Sequence, residues 1–80
     1  MDVRNWLIEW FINHTVVKRN EIEANLENNY FDLGWINSLQ FIDFLTNIED
    51  HFDIMFDNQA FQNRTFSTIE GLVNIIEEMK

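Results

Sequence analysis

The chain has 80 residues, 14 acidic and 5 basic, for a formal net charge of −9; it has no cysteine, no proline and two glycines, yet 46% of it is hydrophobic and 15% aromatic. The length predicts one small domain, and the apolar content excludes a disordered acidic tail. Without cysteine there is no disulfide framework, no Cys-type zinc site and no thiol nucleophile, and the charge excludes nucleic acid and anionic membrane, which bind through clustered Lys and Arg.

The first predicted helix covers residues 2–17, with Asp2 as its N-cap. Val3, Trp6, Leu7, Trp10 and Val17 share one face, Phe11 lies at its edge, and Ile8 and Ile12 lie on another side. A helix apolar over so much of its circumference is expected to be covered by two neighbours. Its apolar start does not read as a signal peptide, because Glu9 interrupts it and no basic n-region precedes it. No segment approaches the ~20 apolar residues that span a bilayer. A cytoplasmic protein without membrane insertion is expected.

Residues 18–36 read as a long loop, pinned by Ile22 and Leu26 and turning at Gly34 through positive φ. Loops this long in compact domains are usually functional. The second main helix is predicted at residues 38–52, capped by Asn37, with Gln40 completing a capping box. Phe41, Leu45, Ile48 and Phe52 fall within about 60° of one another and form its core face, flanked by Ile42 and Phe44. Residues 53–66 connect onward. Ile54, Phe56 and Phe61 are expected to insert into the core, and Asp57 to cap a short turn around residues 58–61. The last helix is predicted at residues 68–79, with Ser67 and Glu70 as a capping box. Ile69, Leu72, Val73 and Ile76 follow the helical repeat. Gly71 costs about 1 kcal/mol inside a helix, which suggests a close approach by a neighbouring helix. The expected fold is all-α: a small bundle of three main helices plus one short one, with a long loop between the first two main helices.

Leu39, Asp43, Thr46 and Asp50 form a stripe about 170° from the core face of the second main helix. Leu39 is thus an apolar residue in an acidic row, beside Ser38 at the first helical position. A helix N-terminus offers unpaired N–H groups and partial positive charge, so a phosphate carried on Ser38 is chemically reasonable. On spacing alone, a capping-region hydroxyl is the plainer reading of Ser38.

Residues Phe31-Asp32-Leu33-Gly34-Trp35-Ile36-Asn37-Ser38-Leu39 resemble the attachment motif of acyl carrier proteins, Leu-Gly-x-Asp-Ser-Leu. Ile48-Glu49-Asp50-His51-Phe52-Asp53-Ile54 resembles that family's Ile-Glu-x-x-Phe-x-Ile, and Phe66-Ser67-Thr68-Ile69 its x-Thr-Val/Ile start to the last helix. The likeness runs from about Phe31 to Glu77. It implies a single carrier domain over residues 1–80, with 4′-phosphopantetheine placed on Ser38 by a phosphopantetheinyl transferase. Acyl or aminoacyl cargo would then ride as a thioester. The resemblance further implies a loading ligase and downstream biosynthetic enzymes that present basic patches. Leu39, Asp43, Asp50, Glu49 and Trp35 are the expected docking residues, and a monomer is expected. In two places the chain departs from the pattern. Asn37 replaces the family's Asp, which keeps a cap but removes a charge that in the family assists priming. Two residues rather than one separate Gly34 from Asn37, as in stand-alone carriers of D-alanyl or peptidyl type.

Catalysis is not expected. His14 and His51 are single histidines without metal-ligand spacing, and there is no Gly-rich phosphate loop. The alternative reading is an unmodified acidic helical interaction module that uses the same helix face.

Overall fold

The computed structural model describes residues 2–56 and 64–79. Helix α1 spans Val3–His14, capped by Asp2, whose carboxylate accepts the Arg4 N–H at 3.0 Å. It ends before the predicted residue 17 because β-branched Thr15 turns extended. The Thr15 backbone N–H and hydroxyl both donate to the Phe11 carbonyl, at 2.9 and 2.6 Å. A run of Thr15, Val16 and Val17 is stiff at χ1 and favours leaving the helix. Val17 therefore sits outside the helix, although it still packs half-buried against the core.

The stretch expected to be a loop begins with a short helix, α2, at Arg19–Glu23. One apolar residue, fully buried Ile22, anchors it. Arg19 fastens it to α1 by pairing with Glu9 and reaching Asn5 at 3.4 Å. The rest of the loop is tied down by backbone bonds. Leu26 accepts from the Glu70 N–H at 3.0 Å, and the Tyr30 N–H donates to Ser67 at 3.0 Å. Tyr30 is completely buried and its hydroxyl donates to the Phe66 carbonyl. The rings of Phe11, Phe31, Phe41 and Phe44 surround it, with centroids 5.1 to 6.2 Å apart. Gly34 takes the expected positive φ, 76°.

Helix α3 spans Ser38–Phe52 and buries Phe41, Phe44, Leu45 and Ile48. Phe52, on the same stripe, is half-buried with its ring edge-on to Trp6 at 5.3 Å. The helix stops at Asp53, left-handed at φ 57°. Ile54 inserts into the core as expected and Phe56 packs half-buried beside it. Phe61 and the turn expected around residues 58–61 lie outside the described residues.

A 3-10 helix at Arg64–Ser67 leads into α4, Ile69–Met79, which buries Ile69, Leu72, Val73 and Ile76. The cap of α4 is Thr68, not Ser67: its hydroxyl accepts the Gly71 N–H at 3.0 Å. Glu70 does not fold back to complete a box, because Arg4 of α1 takes both its oxygens at 2.5 and 2.7 Å. The close approach expected at Gly71 comes from the preceding 3-10 helix. A Cβ there would stand 2.0 Å from the Thr65 carbonyl oxygen and 2.8 Å from the Thr68 hydroxyl. Helix α1 packs between α4, through the Arg4–Glu70 pair, and α3, through the contacts of Trp10 and Phe11 with Phe44 at 4.4 and 5.1 Å. Its broad apolar surface is explained by those two neighbours. The bundle is all-α among the described residues.

Candidate functional site at the start of α3

The first turn of α3 is built by a reciprocal cap. The Asn37 side chain accepts the Gln40 N–H at 2.9 Å, and the Gln40 side chain accepts the Asn37 N–H at 3.0 Å. Ser38 is the first residue of the helix and is exposed. Its hydroxyl makes no hydrogen bond among the described residues, and neither do the N–H groups of Ser38 and Leu39. No acidic residue lies in this turn. A phosphodiester formed on Ser38 would meet two free backbone donors at the positive end of a helix, and no carboxylate from that turn. The residues present fit a phosphate-linked group.

Below Ser38 the stripe lies on the outside of α3, as predicted. Leu39 is 76% exposed, and Asp43, Thr46 and Asp50 are exposed. The helix contains Asp43, Glu49 and Asp50 and no Lys or Arg. Two of the chain's cations, Arg4 and Arg19, are paired elsewhere with Glu70 and Glu9. Glu49 is half-buried and holds the segment after α3, accepting the Phe56 N–H at 2.8 Å. Trp35 is half-buried, edge-on to Phe11 at 5.6 Å, and its backbone N–H donates to the Tyr30 carbonyl at 3.0 Å. It belongs to the frame that holds the loop, and part of its surface reaches solvent.

One exposed apolar residue of α3 is missing from the predicted set. Ile42 is 48% exposed, one turn from Leu39 on α3. The helical wheel puts Ile42 and Phe44 on opposite flanks of the core stripe, and α1 covers the Phe44 side. A groove of about 480 Å³ lies elsewhere, lined by Arg4, Glu23, Glu27 and Glu70 among others, and none of its lining residues comes from the loop end or α3. Among the described residues no group of three or more His, Cys, Asp or Glu is placed to hold a metal ion. No described helix is long and apolar enough to cross a membrane.

The structure thus presents a small helical bundle with an exposed serine at the head of an acid-bearing helix. The family model described as "Phosphopantetheine attachment site" matches residues 14–76, and the chain belongs to that family. The matched span takes in α2 and the anchored loop, so the likeness extends well before the motif at Phe31. No curated protein and no solved structure matches the chain. Members carry 4′-phosphopantetheine as a prosthetic group and are non-catalytic carriers.

Proposed function

We propose that Ser38 is the attachment point and that the chain is a single carrier domain over residues 1–80, presenting acyl or aminoacyl groups to separate enzymes. The observation that carries this reading is the exposed, unbonded Ser38 hydroxyl beside two unpaired backbone N–H groups, inside the span matched by the family. When attached, the group supplies a thiol on which cargo travels as a thioester. The chain has no cysteine of its own to compete for that thioester. Ser38 supplies the nucleophilic oxygen for priming, and Asn37 holds the helix start on which that oxygen stands.

Docking then falls to the outer face of α3. Leu39, with Ile42 beside it, provides an apolar anchor in a partner pocket. Asp43 and Asp50 steer a basic partner surface, an effect seen mainly in association rate and salt dependence. Glu49 and Trp35 stand at the margins of this face, each with a structural bond as well. The partners are a phosphopantetheinyl transferase, a cargo-activating ligase and downstream biosynthetic enzymes. The setting is cytoplasmic, with the protein working as a monomer. The spacing from Gly34 to Asn37 favours a carrier of D-alanyl or peptidyl type.

Incubation with coenzyme A and a broad-specificity phosphopantetheinyl transferase should add the mass of one phosphopantetheine to the protein and none to Ser38→Ala. No gain under conditions that modify a control carrier would favour the unmodified interaction module instead. That is the reading which Asn37, in place of the family's Asp, supports. For docking, Asp43→Lys should slow loading by a partner enzyme, most at low salt, with an unchanged thermal melt. An unchanged loading rate would remove Asp43 from the interface.

A further inference from the structure

We draw no further inference here: the strongest candidate, the groove beside α2 and the start of α4 lined by Arg4, Glu23, Glu27 and Glu70, is a cluster of acidic side chains in which Arg4 and Glu70 already pair with each other, and nothing among the described residues points to a ligand in it.

Discussion

Tyr30 and Ser38 stand at the two ends of the same loop segment and are treated in opposite ways. Tyr30 is fully buried, ringed by aromatic side chains, with its hydroxyl bonded to the Phe66 carbonyl. Burial pushes its phenol well above the ordinary tyrosine range, so it remains a neutral donor. Ser38 is exposed and its hydroxyl is bonded to nothing among the described residues. The difference shows where the structure holds the site. Tyr30, the Leu26–Glu70 backbone bond and the Thr68 cap fix the loop from below, and the Asn37–Gln40 cap fixes the helix start. Ser38 itself carries none of these bonds, as the proposed attachment there requires.

The most severe way to break this contrast is Tyr30→Ala. Emptying the aromatic hub should cost about 3–5 kcal/mol, read by urea denaturation. A loss below about 1 kcal/mol would mean that the loop is held elsewhere. Next is Gly71→Ala. Alanine is the better helix former by about 1 kcal/mol, so on an open helix the change would stabilise. Here the new methyl would stand 2.0 Å from the Thr65 carbonyl oxygen. That clash should reverse the sign and destabilise by about 1–3 kcal/mol. Stabilisation would show that the 3-10 helix receiving Tyr30 yields easily.

A smaller effect is expected from the Arg4–Glu70 pair, whose side chains are 43% and 26% exposed. Glu70→Gln should cost at most about 1 kcal/mol, because a part-exposed pair is screened by solvent. Its pH dependence has a definite sign. The hydrogen bond from Arg4 lowers the Glu70 pKa against a smaller opposing effect of burial. A carboxylate lowered in the folded state contributes stability above its unfolded pKa, about 4.3, and loses it as pH falls through the lowered folded value. The gap between wild type and Glu70→Gln should therefore be constant near neutrality and close in acid. A gap that widened in acid would contradict the pairing.

Much of the site was legible in the sequence because it is local. The bounds of α3, its Asn37–Gln40 cap, the stripe of Phe41, Leu45 and Ile48, and the turn at Gly34 follow from spacing and cap chemistry within a few residues. What escaped depends on distant partners. Helix α2 has one apolar residue and no periodicity to announce it, and Arg19 holds it through Glu9 of α1. Ser67 and Glu70 have the spacing of a capping box, but Arg4 claims Glu70 from the far end of the chain. Ile42 and Phe44 occupy equivalent flanks on the helical wheel, and only the position of α1 decides that Phe44 is buried. Tyr30 carries no local sign that it is the largest fully buried side chain.

The central claim is that Ser38, and no other hydroxyl, receives the group. The chain has two serines, Ser38 and Ser67, and Ser67 lies in the 3-10 helix, where its carbonyl receives the Tyr30 N–H. After treatment with coenzyme A and a phosphopantetheinyl transferase, the protein should be digested and its peptides fragmented by mass spectrometry. The account predicts one phosphopantetheine on the peptide containing Ser38. It also predicts undiminished modification in Ser67→Ala, and none in Ser38→Ala despite an unchanged melt. Modification on any other residue, or a Ser38→Ala protein that is still modified, would contradict it.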